Sequence, residues 1–209
     1  MLNIEENKLP LVAILRGVTP EEIINIAQAL IDEGFSLIEV PLNSPNALAS
    51  IQLLADKFKN QCLVGAGTVT NPELAKSVIE TGANMIVTPN YNHEVVKLCV
   101  ENNITSFIGV ATMTEAFNAI QSGASVLKLF PSDVVGASGL KGMKAVLPKD
   151  TLVYPVGGVS PDQASMQPYI DAGASGFGLG SALYKPGMST DEVVINARKY
   201  IDAYKLATV

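Results

Sequence analysis

The sequence is poor in the residues that serve metal, redox and nucleic-acid chemistry. Its 209 residues include one histidine, His93, and two cysteines, Cys62 and Cys99. A single His excludes a histidine-rich metal centre, and no metal is expected. The two Cys stand in apolar stretches with neither metal-ligand spacing nor a CxxC pattern, so they are expected to be reduced core thiols of a cytoplasmic protein. Charged residues make up 16% of the chain, with 20 Asp and Glu against 14 Lys and Arg, for a net charge of −6. Arginine occurs only as Arg16 and Arg198. Such a balance offers no basic face, and a nucleic-acid partner is not expected. No apolar run approaches the ~18 residues of a membrane helix, and no basic-then-apolar leader precedes the first structured segment. Neither membrane insertion nor secretion is therefore expected. What the chain does have is apolar content, 48% of it. That is too much for a disordered chain, and the length suits one domain with a full core.

Short β-rich apolar runs alternate with amphipathic helical stretches. The strand candidates are residues 11–16, 37–42, 62–68, 85–89, 105–111, 126–130, 152–157 and 176–180. Helical stretches fall at 20–33, 48–58, 72–81, 94–102, 115–122 and 191–204, with weaker periodicity at 138–147 and 162–172. Thr19-Pro20-Glu21-Glu22, Asn71-Pro72-Glu73 and Ser160-Pro161-Asp162 each combine a capping residue, a first-turn Pro and early acids. Gly34, Gly82, Gly123 and Gly173 mark helix ends. The strands are nearly continuous hydrophobic runs, the pattern of a parallel sheet buried on both faces. Eight such βα units predict a single-domain (β/α)₈ TIM barrel. An open doubly wound sheet shares the alternation, but no GxGxxG follows the first strand. Residues 3–8 are expected to form a short helix or arm at the barrel bottom.

Three charges stand where apolar residues belong. Lys128 lies within Val126-Leu127-Lys128-Leu129-Phe130, Glu39 within Leu37-Ile38-Glu39-Val40-Pro41, and Arg16 ends the first strand before Gly17. Burying an unpaired charge costs several kcal/mol or forces its neutralisation. An internal Lys–Glu ion pair is one reading, but buried pairs stabilise poorly compared with apolar replacements. The alternative is a nucleophilic amine with a carboxylate acid/base beside it. A Lys in water, with a pKa of ~10.4, cannot attack a carbonyl at neutral pH; desolvation lowers that value and frees the amine. Lys plus Glu without a metal cluster points to Schiff-base chemistry on a ketone.

The last two strands suggest phosphate handling. Val156-Gly157-Gly158-Val159-Ser160 follows strand seven, and Gly178-Leu179-Gly180-Ser181 closes strand eight. Barrels often bind phosphate on these loops, where Gly lets backbone N–H groups approach the oxygens. Tight turning alone is the other reading of such glycines. Gly65-Ala66-Gly67-Thr68 is a third tight site, where Thr68 offers a hydroxyl to an anion while Asn71 serves as the helix cap. His93 reads as a helix-start residue, Met113 as apolar lining in the loop after strand five, and Asp133 as a turn or cap residue.

Taken in order, these stretches resemble the 2-keto-3-deoxy-6-phosphoaldonate aldolases, class I enzymes on a (β/α)₈ barrel. The resemblance runs from Pro10 to about Tyr204. It is carried by Val12-Ala13-Ile14-Leu15-Arg16-Gly17, Ile38-Glu39-Val40-Pro41-Leu42-Asn43-Ser44-Pro45, Gly65-Ala66-Gly67-Thr68-Val69 and Ile86-Val87-Thr88-Pro89-Asn90. Leu127-Lys128-Leu129-Phe130-Pro131-Ser132, Pro155-Val156-Gly157-Gly158-Val159 and Gly178-Leu179-Gly180-Ser181 complete it. The resemblance implies that Lys128 forms the Schiff base and Glu39 shuttles protons. It implies that Arg16 and Thr68 hold the ketoacid end, that Pro89 and Phe130 line the pyruvyl pocket, and that Gly157, Gly158 and Ser181 bind phosphate. It further implies a small phosphorylated keto-acid substrate, no cofactor and a homotrimer.

Two departures bear on specificity. Gluconate-type members often carry Thr-Leu-Arg after the Glu-Val and Thr-Gly-Gly after strand seven, whereas here Pro41-Leu42-Asn43 and Val156-Gly157-Gly158 stand. Asn43 cannot supply a guanidinium, which places more of the carboxylate on Arg16 and Thr68. Val156 removes a hydroxyl near substrate C4. An unmatched buried hydroxyl costs ~1–3 kcal/mol, enough to separate epimers. The pattern resembles the galactonate branch of the family, with a gluconate-type or dual-epimer aldolase as the alternative. A phosphosugar isomerase or epimerase barrel and a non-catalytic phosphate-ligand sensor would share the late glycines without a Schiff base.

Overall fold

Residues 9–209 are described in the computed structural model, so the arm expected at residues 3–8 lies outside the described residues. Eight strands alternate with eight helices along them. The strands are β1 (Leu11–Ile14), β2 (Leu37–Pro41), β3 (Leu63–Gly67), β4 (Met85–Val87), β5 (Thr105–Val110), β6 (Val126–Leu129), β7 (Val153–Pro155) and β8 (Phe177–Leu179). The helices are α1 (Ile23–Asp32), α2 (Ala47–Phe58), α3 (Pro72–Glu80), α4 (His93–Glu101), α5 (Met113–Gln121), α6 (Ser132–Lys144), α7 (Gln163–Asp171) and α8 (Thr190–Ala207). All pairings are parallel, in the order β7-β6-β5-β4-β3-β2-β1-β8. The two ends of this order meet where Val156 and Gly178 form a parallel bridge. The sheet is thereby closed into the expected (β/α)₈ barrel, and an open doubly wound sheet is excluded.

Local signals place most helices, with four corrections. Asn71 caps α3, its side chain accepting from the Leu74 N–H at 2.9 Å. Helix α1 starts at Ile23 rather than residue 20: residues 20–22 form a turn in which the Glu22 and Ile23 N–H groups donate to Thr19 O, at 3.2 and 3.1 Å, while the Thr19 N–H and hydroxyl donate to the Glu22 carboxylate, at 3.3 and 3.1 Å. The cap of α7 is Asp162, not Ser160, since only Asp162 reaches the Ser165 N–H. Helix α6 begins directly after β6 at Ser132, and non-helical Gly136 breaks its periodicity, which is why only its second half carried a signal. Met113 is the first residue of α5 rather than a loop residue, behind a capping box between Thr112 and Glu115.

Alternation along each strand sends one set of side chains out to the helices and the other toward the barrel axis. Ile38, Val40, Leu127 and Leu129 belong to the outer set, packed in the clusters that carry the helices. Val12, Leu37, Leu63, Met85, Val87, Phe107, Val126 and Tyr154 form a separate inner cluster. Within it the Phe107 and Tyr154 rings meet edge to face, with centroids 5.3 Å apart. Side chains buried this way contribute ~1.5–3 kcal/mol each. Two residues further along the same strands come Ile14, Glu39, Gly65, Gly109, Lys128 and Val156. Strand register aligns Ile14 with Glu39, Glu39 with Gly65, and Gly109 with Lys128. The second layer therefore mixes charge with glycine where the first is apolar.

The two cysteines are free and buried, as expected. Burial pushes the Cys62 thiol up to about 11 and that of Cys99 up to about 12. Among the described residues no helix is long and apolar enough to cross a membrane.

Candidate active site

Strands β2 and β6 deliver Glu39 and Lys128 to the second layer, where they are 2% and 7% exposed. Desolvation pushes the Lys128 amine below its ordinary value; the Glu39 carboxylate opposes that shift and the Arg16 charge adds to it. Desolvation pushes Glu39 up, against the pull of Lys128 and Arg16. Both groups are thus driven toward their neutral forms, an amine able to attack and an acid able to donate. They are not the internal ion pair weighed from sequence: Arg198–Glu33, at 2.8 Å, is the one salt bridge among the described residues. Lys128 Nζ lies 4.8 Å from the centroid of the Phe130 ring. Glu39 Oε2 is buried without a hydrogen-bond partner. An orphaned oxygen of this kind costs ~1–3 kcal/mol, a cost that a reacting hydroxyl or water would relieve.

Room for that carboxylate comes from Gly67, which the sequence marks only as part of a tight site before Thr68. A Cβ at position 67 would fall 1.3 Å from Glu39 Oε2. Any side chain there would evict the acid.

Arg16 is exposed at the end of β1, and its Nη1 donates to Asn43 Oδ1. The next residues repeat the link, the Gly17 N–H donating to Ser44 Oγ at 2.8 Å. Asn43, expected to bear on specificity, is not among the cavity-wall residues; it grips the guanidinium instead.

A cavity of about 580 Å³ is walled in part by Ile14 and Val156 of this layer, while Lys128 and Glu39 are not among its wall residues. Of the residues singled out in sequence, Arg16, Phe130, Val156, Gly157, Gly158 and Ser181 line it. Its size suits a small metabolite. Gly157 and Gly158 have φ of 102° and 70°, which other residues rarely adopt. Ser132 braces their loop, its N–H donating to Val156 O at 2.9 Å and its Oγ to Gly157 O at 2.5 Å. The carbonyls are thus occupied by protein, and no protein group occupies the Gly158 or Ser181 N–H among the described residues. Val156 also packs over Gly178, where a Cβ would meet its Cγ2 at 2.6 Å. One side chain therefore serves both the barrel seam and the cavity wall.

Thr68 and Pro89 follow β3 and β4 at neighbouring strand ends, outside the residues that line this cavity. Thr68 has a φ of 61°, so its backbone is held in the left-handed region. His93 opens α4, as read from sequence, with Nδ1 3.0 Å from Ser122 Oγ, whereas Asp133 is neither turn nor cap but a residue of the first helical turn of α6, which Pro131 precedes as N-cap. The arrangement joins a buried amine, a buried carboxyl group, a cation and a braced glycine loop.

Comparisons with known proteins identify the family of the chain. The family model described as "Aldolase: KDPG and KHG aldolase" matches residues 3–204. The 2-dehydro-3-deoxy-6-phosphogalactonate aldolase of Escherichia coli K12 is 45% identical, covering 97% of this chain and 98% of its own. The KHG/KDPG aldolase of the same organism is 30% identical over 73% of this chain and 71% of its own. A solved structure described as native KDPGal superposes with a TM-score of 0.93 at 44% identity, covering 97% of this chain and 98% of that one. The buried Lys128 and Glu39, the braced glycine loop and the barrel that presents them thus stand in a chain that belongs to the KDPG and KHG aldolase family.

Proposed function

We propose that this protein is a single-domain class I aldolase that cleaves 2-dehydro-3-deoxy-6-phosphogalactonate to pyruvate and D-glyceraldehyde 3-phosphate. Lys128 is the nucleophile and Glu39 the proton shuttle. One observation carries the reading: a Lys and a Glu, both buried and both displaced toward their neutral forms, share one barrel layer with Ile14 and Val156, which wall a glycine-lined cavity. The identity of 45% to a galactonate-type relative, against 30% to a KHG/KDPG one, favours the galactonate epimer.

The neutral Lys128 amine adds to the C2 ketone, and protonated Glu39 gives its proton to the departing water. The resulting iminium draws electrons from C3. Glu39, now a carboxylate, takes the C4 hydroxyl proton as the C3–C4 bond breaks, leaving the aldehyde and an enamine. Glu39 returns the proton to C3, and water hydrolyses the pyruvyl imine to restore the amine. Arg16 and Thr68 hold the substrate carboxylate, Pro89 and Phe130 flank the pyruvyl group, and Gly157, Gly158 and Ser181 take the phosphate. Val156 presents an apolar wall near C4. No step requires a metal or organic cofactor. By the same family resemblance, the enzyme works as a cytoplasmic homotrimer.

The test is pyruvate release from the two C4-epimeric substrates side by side, with borohydride trapping of the pyruvyl imine. Preference for the galactonate epimer and a trapped adduct that Lys128→Ala abolishes are expected. Preference for the gluconate epimer would overturn the specificity and keep the chemistry. No adduct and no pyruvate from either epimer would sink the aldolase reading.

A further inference from the structure

We propose that Lys185 is a phosphate-binding residue of this site and a determinant of its preference for phosphorylated over unphosphorylated keto acids. The inference rests on the aldolase reading above and adds to it a residue that neither the sequence reading nor the comparisons assign.

The substrate class carries two anionic ends, and the cavity wall carries two cationic side chains, Arg16 and Lys185. Arg16 is committed to one side, its guanidinium held by Asn43 at the β1–β2 edge. Lys185 stands in the turn after β8, on the same stretch of wall as Gly180, Ser181 and Ala182. Its ammonium has no ion-pair or hydrogen-bond partner among the described residues. The backbone beneath it is nonetheless well braced. The Lys185 N–H meets Met188 Sδ at 3.3 Å, and the Met188 N–H returns to Lys185 O at 3.2 Å. Pro186 packs on Gly17 so closely that a Cβ there would lie 2.5 Å from Pro186 Cγ. The stem of Lys185 therefore starts from a fixed point on the rim.

Charge balance gives the ammonium a purpose. Asp133 presses against the glycine loop, where a Cβ on Gly158 would come 2.6 Å from Asp133 Cβ and 3.5 Å from its Oδ2. Backbone amides with a carboxylate close by make a poor seat for a dianion, and an unpaired ammonium on the wall of the same cavity offsets that field.

The experiment compares kcat/KM for the phosphorylated substrate and its unphosphorylated counterpart in wild type, Lys185→Ala and Lys185→Arg. In Lys185→Ala the ratio of the two is expected to fall about 5- to 20-fold, through KM for the phosphorylated substrate. Lys185→Arg restores most of it. Inorganic phosphate should compete more weakly against Lys185→Ala, and added salt should raise the wild-type KM more than that of the variant. An unmoved ratio, or equal losses on both substrates, would overturn the proposal. Borohydride trapping with pyruvate on the same samples separates the two failures: an untrapped wild type breaks the aldolase reading, whereas trapping with an unmoved ratio breaks only the role of Lys185.

Discussion

The barrel interior holds two layers built by the same strands, two residues apart. The lower carries Leu37 on β2, Phe107 on β5, Val126 on β6 and Tyr154 on β7. The upper carries Glu39, Gly109, Lys128 and Val156 at the next inward positions. The lower layer is filled with large apolar side chains, and its rings interlock. The upper one buries two ionisable groups, leaves Glu39 Oε2 without a partner and uses glycine at Gly65 and Gly109, where neighbouring backbone comes too close for a side chain. Packing in the first offsets desolvation in the second. A strand register is thus enough to separate a stabilising plane from a reactive one, because each strand must continue inward after its apolar residue.

Substitutions in the two planes should fail in different ways. The largest effect is expected from Glu39→Gln, which should slow turnover by roughly 10²–10⁴-fold while leaving the fold intact. It should also move the pH profile of imine trapping. Glu39 holds the Lys128 value up against desolvation, so its loss lets that value fall further and shifts the acid limb to lower pH. A limb that stays in place or moves to higher pH would show that the carboxylate does not reach the amine.

Phe107→Ala should do the reverse. Emptying the lower layer is expected to cost about 3–5 kcal/mol in denaturant unfolding, with turnover per folded molecule close to wild type. If instead stability held and turnover collapsed, the division between layers would be wrong.

The smallest and sharpest test is Gly67→Ala. Its methyl would displace the Glu39 carboxylate, and a misplaced acid costs on the order of 10- to 100-fold in kcat, with pyruvate trapping retained. In a Glu39→Gln background the same change should add little, since the two residues act as one unit. Additive losses would assign Gly67 to the backbone alone.

The alternation of apolar runs and capped helices was enough to predict a (β/α)₈ barrel, because burial on both faces leaves its mark on every strand. Lys128 and Glu39 were legible for the same reason: a charge inside an apolar run violates a local pattern. Gly157 and Gly158 were legible as a pair after the seventh strand. Other features left no local mark. The start of α1 follows a turn over residues 20–22, and the extent of α6 depends on a break at Gly136.

The residues that support the site were less visible still. Asn43 stood out only as a missing guanidinium, while its grip on Arg16 joins residues 27 positions apart. Gly67 and Glu39 lie on different strands, and Lys185 shares a cavity wall with the glycine loop only because β8 closes beside β7. Sequence alone determined which residues are chemically out of place and how often the chain turns. Tertiary structure alone decided what faces them, since burial, an oxygen left without a partner and the space for a carboxylate are properties of distances between strands.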